Sequence, residues 1–283
     1  MAKQLTRTVD QPYEFVKQEM RKERHKPSYL SQAIEHIGQD AHLDYIHKWS
    51  ALSLYLGGAD TTVAALMIFF LAMTLFPDVQ LRAQEEIDRV IGTDRLPVSS
   101  DKPNLPYIEA VFKETHRWHN VGPMGVPHAT AQEDVIRGYR IPKGAVLLPN
   151  TWWFTHDPAV YPDPMAFRPE RFLTTPTHAA EPDPRNWVFG YGRRVCPGRQ
   201  LADNALIITI AQVLAVFTIE PPRENGTPVL PKAEFEPGLV SHPKPYRTCV
   251  RPRSEKHRAL IRSIEDKWPW EKSDAEALAT VES

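Results

Sequence analysis

Phe189-Gly190-Tyr191-Gly192-Arg193-Arg194-Val195-Cys196-Pro197-Gly198 is the stretch on which the reading of this chain turns, and an apolar run with helical spacing, Leu201 to Phe217, follows it at once. Pro197 suits the first position of a helix, because it needs no backbone donor there and its φ is already set. That predicts Cys196 at the N-cap, where unpaired N–H groups and the positive end of the helix dipole favour a thiolate. Arg193 and Arg194 add positive charge. Gly192 and Gly198 admit backbone shapes, or the close approach of a flat ligand, that a residue with a Cβ would forbid.

A thiolate held in this way is either a nucleophile or a metal ligand. No base is adjacent in sequence, and zinc would want more soft ligands than the chain's 2 cysteines supply, the other being Cys249. One thiolate on one axial position of a heme iron fits better, since the porphyrin brings the other four ligands. The ordinary reading of a lone cysteine, a buried inert thiol, stands beside it.

The stretch resembles the heme-binding signature of the cytochrome P450 family, F-x-x-G-x-R-x-C-x-G, with Phe189, Gly192, Arg194, Cys196 and Gly198 in the signature positions. The resemblance implies a mainly α fold with small β-sheets, in which a long central helix and the helix after the cysteine loop sandwich heme b, iron protoporphyrin IX. It casts Cys196 as the axial iron ligand and Arg194 as a partner of the heme carboxylates. It gives His128, in the extended segment Val126-Pro127-His128-Ala129, the same part.

Asp40 to Phe76 reads as one long helix with Gly57-Gly58-Ala59-Asp60-Thr61-Thr62 in its middle. Each glycine costs a helix interior roughly 1 kcal/mol relative to alanine. The glycines would let a ligand approach, and the hydroxyls can bond carbonyls one turn back and open the helix. Asp60 and Thr61 then form a candidate proton relay, against the alternative of a solvent-facing kink. The segment resembles the family's oxygen-activation motif, [AG]-G-x-[DE]-T-[ST], which implies proton delivery by Asp60 and Thr61 and a supporting role for Thr62.

Asn104 to His119 is expected to be a helix with Glu114 and Arg117 sharing a face, ordinarily a solvated pair. They resemble the family's E-x-x-R. Phe167-Arg168-Pro169-Glu170-Arg171-Phe172 resembles its P-E-R-F element, so the resemblance joins Glu114, Arg117 and Arg171 in a buried ion network under the cysteine loop. The segment Val121 to Val126, and Leu239-Val240 at a turn around Pro237-Gly238, resemble substrate-contact regions.

The remaining elements are read from turn and cap signals. Helices are expected over Gln11–Arg24, over Ser28–Ile37 with Ser28 as N-cap, and from Pro77 to Ile91 with Gly92 closing it. Hairpins are expected over Val135–Leu148 and Phe235–Arg251, the second carrying an inert Cys249 on its returning strand. A short helical turn is expected over Asn150–Asp157 with Trp152 and Trp153 in the core, a strand from Thr218, and an amphipathic helix through Leu260, Ile261 and Ile264. Three regions follow: 1–40, a remnant of distal helices; 41–253, the heme-binding core; and 254–283, a charged tail.

With 34 Lys+Arg against 35 Asp+Glu, nothing in the charge points to nucleic acid. The 27 prolines, mostly after residue 97, predict irregular and short-stranded segments. Few cysteines and a polar N-terminus without a signal peptide favour a reducing compartment. The longest apolar run, Val63 to Phe76, reads as a buried core helix rather than a membrane span.

The resemblance covers about residues 11 to 253 and the C-terminal half to three-fifths of a family member. A membrane anchor, the early helices with their Trp/Arg pair for the heme carboxylates, and much of the distal roof lie outside it. It implies a monooxygenase that inserts one atom of O2 into a small apolar substrate with electrons from NADPH-cytochrome P450 reductase. The style of Gly238-Leu239-Val240-Ser241-His242-Pro243 and Pro245-Tyr246 resembles the fungal microsomal branch, which serves terpenoid and polyketide secondary metabolism. By resemblance the location is the cytosolic face of the endoplasmic reticulum, held there only if an anchor exists, and otherwise the cytoplasm. The second hypothesis is a truncated heme-binding remnant without turnover.

Overall fold

A computed structural model of the chain describes residues 2–37 and 40–281. Met1, with which the polar N-terminal stretch begins, lies outside the described residues. Contacts gather in two compact units, residues 1–59 with 268–283, and residues 60–267.

In the first unit α1 (Ala2–Arg21) begins well before the expected start and carries Pro12 within it. α2 (Tyr29–Ile37) is capped as expected, the Ser31 amide donating to Ser28 Oγ at 3.1 Å. α3 (Ala41–Leu75) is a single helix straight through Gly57 and Gly58. The opening expected there is absent, because nothing breaks the backbone ladder and a Cβ on either glycine would meet only open space. By length and composition alone α3 could cross a membrane. Its second half is instead a core helix, with Ile68, Phe69, Leu71, Ala72 and Met73 fully buried.

That half of α3 shares one apolar core with the helices that follow. α4 (Pro77–Val90) has its proline in the first turn, and Gly92 just past its end has φ +80°. α5 (Pro106–Trp118) buries Ile108, Val111, Phe112 and Thr115 on one stripe. Its first amides are met by Glu86 of α4, whose carboxylate accepts from Tyr107 N at 2.9 Å and Ile108 N at 3.0 Å. A carboxylate here satisfies two orphan donors and meets the positive end of the dipole.

The strands are short and antiparallel. β1 (His128–Ala129) pairs not with its neighbours but with β4 (Val146–Leu147), and β2 (Asp134–Ile136) pairs with β3 (Tyr139–Ile141) around Arg137-Gly138, both at positive φ. The expected hairpin is thus confined to 134–141, its outer end recruited by the His128 segment. α6 (Thr151–His156) is capped by Asn150, which accepts from Trp153 N at 3.1 Å. Trp152 stacks on His156, but Trp153 is 52% exposed, contrary to the core placement expected for both.

α7 (Arg185–Val188) leads into the cysteine loop, and α8 (Arg199–Val216) leaves it. α8 passes directly into β5 (Phe217–Glu220), which turns through β6 (Arg223–Glu224) and β7 (Thr227–Pro228). β8 (Cys249–Pro252) pairs with β5, in the register Glu220 to Cys249. The expected Phe235–Arg251 hairpin is therefore corrected. Only Phe235 and Pro243 bridge, because the prolines at 237, 243 and 245 lack the donors that would extend a ladder. α9 (Glu255–Lys267) lays Leu260 and Ile261 on the main core. The charged tail after it forms one further short helix, α10 (Ala275–Ala279).

Candidate functional site

The cysteine loop is a closed backbone ring. Cys196 N donates to Phe189 O at 2.7 Å, and Arg194 N and Val195 N donate to Tyr191 O and Gly192 O at 3.2 Å. Closing it needs φ +80° at Gly190 and +54° at Gly192, which glycine adopts at no steric cost. The N-cap of α8 is Gly198, not Cys196. Pro197 falls in a turn whose Arg199 N donates to Cys196 O at 3.2 Å, so the cysteine sits just ahead of the helix cap and not on it.

The Cys196 thiol is exposed. Val195, next to it in the chain, is exposed as well, and so is Leu201 at the start of α8, at 74%. A Cβ on Gly198 would stand 3.8 Å from Sγ, in the space beside the sulfur. Arg193 and Arg194, also exposed, supply positive charge at the same loop. Among the described residues no cluster of three His, Cys, Asp or Glu side chains could hold a metal by themselves. A lone thiol on a glycine-shaped loop with two exposed arginines fits a planar iron porphyrin with acidic side groups, which brings its own nitrogens.

Under the loop is a buried charge network. Glu114, Arg117 and Arg171 have fully buried side chains. Arg117 grips Glu114 with two parallel bonds, Nε to Oε2 at 2.7 Å and Nη2 to Oε1 at 2.8 Å, and gives its remaining protons to Thr155 O, Pro164 O and Ala166 O. Arg171 Nε donates to Glu114 Oε1 at 3.2 Å, and Arg168 N adds a fourth donor. Burial pushes the Glu114 carboxyl above its ordinary range, and the two guanidiniums and the Arg168 amide pull against it.

Five further groups complete the frame, and the sequence reading did not find them. Glu181 accepts from Arg171 Nη1 at 2.7 Å. Arg185, at the start of α7, reaches Asp183 in its own turn, Glu109 of α5 at 3.1 Å and Asp203 of α8 at 3.4 Å. The network passes to the loop through aromatics. Arg117 lies over the Tyr161 ring at 5.6 Å, Tyr161 meets the edge of Trp187 in α7, and His116 faces Phe189 at 5.8 Å. Glu181, ten residues past Arg171 in the same meander, and Asp183, two before Arg185, have a local signal; Glu109 and Asp203 are distant from Arg185 in sequence and leave none.

The α3 motif and the cysteine loop stand on elements of the same core. Asp60 is 57% exposed, and its carboxylate lies 3.1 Å from His242 Nε2. Thr61 is half-buried beside it. His128 is exposed on β1, with Nδ1 2.7 Å from Val126 O. The two segments read as substrate-contact regions meet: Ser241 N donates to Val121 O at 2.8 Å, and a Cβ on Gly122 would stand 3.7 Å from Leu239 O.

The cytochrome P450 family model matches residues 1–250. The chain is 51% identical over 259 residues to cytochrome P450 monooxygenase claR of Ampulloclitocybe clavipes, covering 91% of this chain and 48% of that protein. It is 47% identical over 277 residues to cytochrome P450 monooxygenase ppsD of Aspergillus oryzae, covering 96% and 52%. The structure of a zebra fish cytochrome P450 with abiraterone superposes with a TM-score of 0.67 at 34% identity, covering 75% of this chain and 49% of that one. The chain thus spans about half the length of the curated relatives it matches. With the signature loop and the buried network in place, and a family model over residues 1–250, the chain belongs to the cytochrome P450 family.

Proposed function

We propose that this chain carries the heme-binding part of a heme-thiolate monooxygenase, which inserts one oxygen atom of O2 into a small apolar substrate. The observation that carries the reading is Cys196: a free, exposed thiol on a glycine-shaped loop, with Val195 exposed next to it in the chain. Bound there, heme b supplies the oxygen activation, its electronics tuned by the sulfur. Cys196 Sγ would hold the iron of that group. Arg194, with His128 as a second candidate, pairs with the carboxylates of the group. Gly192 and Gly198 keep its face clear.

The protein's own chemistry is proton handling. Asp60 takes a proton from solvent, which its exposure permits, and Thr61 Oγ1 passes it on toward the oxygen site. Glu114, Arg117 and Arg171 touch nothing reactive; they hold the floor on which the loop is built. NADPH-cytochrome P450 reductase is the proposed electron source. The similarity to fungal monooxygenases such as ppsD, and to the multifunctional cytochrome P450 monooxygenase af510 of Aspergillus fumigatus at 43% identity, supports a place in fungal secondary metabolism. It also supports the cytosolic face of the endoplasmic reticulum as the location.

The relay is tested by Thr61→Ala. With NADPH, reductase and substrate, the variant should release more peroxide per O2 consumed while its heme spectrum stays that of the parent. Unchanged coupling would remove Thr61 from the relay. A thiolate spectrum in the parent without any NADPH-dependent product would leave heme binding alone.

A further inference from the structure

Asp60 meets one ionisable partner among the described residues, His242, and the way His242 is held gives that contact a purpose. A contact this exposed adds little to stability, so what it contributes is the position of the carboxylate. The loop that carries it is tightly fixed. Glu236 N donates to His242 O at 2.8 Å, closing the turn, and a Cβ on Gly238 would press on Val240 O at 3.0 Å.

The neighbour of His242 points the other way and is locked. Ser241 is buried, and its Oγ donates to Glu236 O at 2.8 Å. His119 Nε2, 2.8 Å from the same Oγ, must then be the donor in that bond, which leaves the buried His119 Nδ1 as the unprotonated atom without a partner. The imidazole is fixed from its face as well, stacked on Phe235 at 3.4 Å and 8°. Burial keeps it neutral, pushed down to about 4.

We propose that His242 is a positioning residue for Asp60, and that the Ser241-His242 pair couples the acid to the substrate-contact segment after α5. Through Ser241 the loop grips His119 and Val121 O; through His242 it grips Asp60 Oδ1, leaving Oδ2 to receive a proton. Movement of the Val121–Val126 segment by a substrate is thereby passed to the carboxylate. This inference rests on the monooxygenase reading.

The test has two arms, both on the full chain. In the first, the chain is labelled with [15N]histidine and the His242 ring resonances are assigned by loss in His242→Gln. Asp60→Asn should move them, and Ser241→Ala should broaden or shift them. Ring signals unmoved by Asp60→Asn would overturn the contact. In the second arm, on the heme-loaded chain with NADPH and reductase, His242→Ala should raise peroxide per O2 about tenfold, less than the loss of a group that itself transfers the proton.

His242→Gln, which can still offer an N–H to Oδ1, should restore most of the coupling. In an Asp60→Asn background His242→Ala should add nothing, because residues acting as one unit are not additive. Effects that multiply, or no rescue by Gln, would mean that His242 acts structurally and would overturn the proposal. A parent chain without a thiolate-type spectrum would overturn the monooxygenase reading and this inference with it, while an intact histidine response would show that the contact itself is sound.

Discussion

Arg117→Met is the perturbation that most sharply separates a buried network from a surface pair. Arg117 makes two bonds to Glu114 and one each to three carbonyls, with its side chain fully buried. Methionine fills much of the volume but returns none of the donors. Glu114 would keep Arg171 and the Arg168 amide, so the loss is partial; removing one partner of a buried pair costs about 3–5 kcal/mol. The orphaned carbonyls add to this, and the unfolded state offsets part of it, so about 4 kcal/mol is expected. At about 1.4 kcal/mol per decade that is a fall of nearly a thousandfold in the folded-to-unfolded ratio, out of a total of about 5–15 kcal/mol.

Urea titration followed by far-ultraviolet dichroism and tryptophan fluorescence measures it as a shift in midpoint at constant slope. Glu114→Leu combined with Arg117→Met should be milder than Arg117→Met alone, since it removes the buried carboxylate left short of two donors, and Arg171 retains Glu181 at 2.7 Å. A loss below about 1 kcal/mol for Arg117→Met, the size of an exposed pair, would refute the reasoning.

Two other outcomes follow from the same frame. His119 and His156 are buried and neutral, desolvation holding both down to about 4 from 6.5. The unfolded chain takes up protons below 6.5 while the folded one does not, so their contribution is whole above pH 6.5 and is lost as pH falls toward 4. Allowing for partial screening, about 2–3 kcal/mol should be lost per histidine. Stability measured across that window should flatten in His156→Phe, and an unchanged slope would count against it. Arg185→Met unties α7 from Glu109 and Asp203. It should speed alkylation of Cys196 in the heme-free chain by loosening the loop, with Cys249 as the internal standard; equal rates would exclude that tether.

The legibility of the chain divides by how local the signal is. α4 and its closing glycine, α5's buried stripe and the Asn150 turn could be read because proline, glycine and capping side chains act within a few residues. The cysteine loop's residues were legible, but its cap was not: Pro197 looked like a first helical residue, yet the closure of Cys196 N onto Phe189 O delays the helix to Arg199. Strand pairing was the weakest reading. β8 joins β5 and β4 joins β1 because the true partners lie far along the chain, and alternation within a strand does not name its neighbour. The α3 motif was correctly set inside one helix, but the expected opening did not follow, since two glycines weaken a helix without breaking it. His242 was in view as part of a stretch, and only the fold put it against Asp60.

The central claim concerns the Cys196 sulfur, and the reduced chain's absorption with CO addresses it directly. The account predicts the red-shifted Soret band of a thiolate-ligated heme, lost in Cys196→Ser and kept in Cys249→Ser. A parent spectrum typical of nitrogen ligation, or a thiolate band that survives in Cys196→Ser, would contradict it.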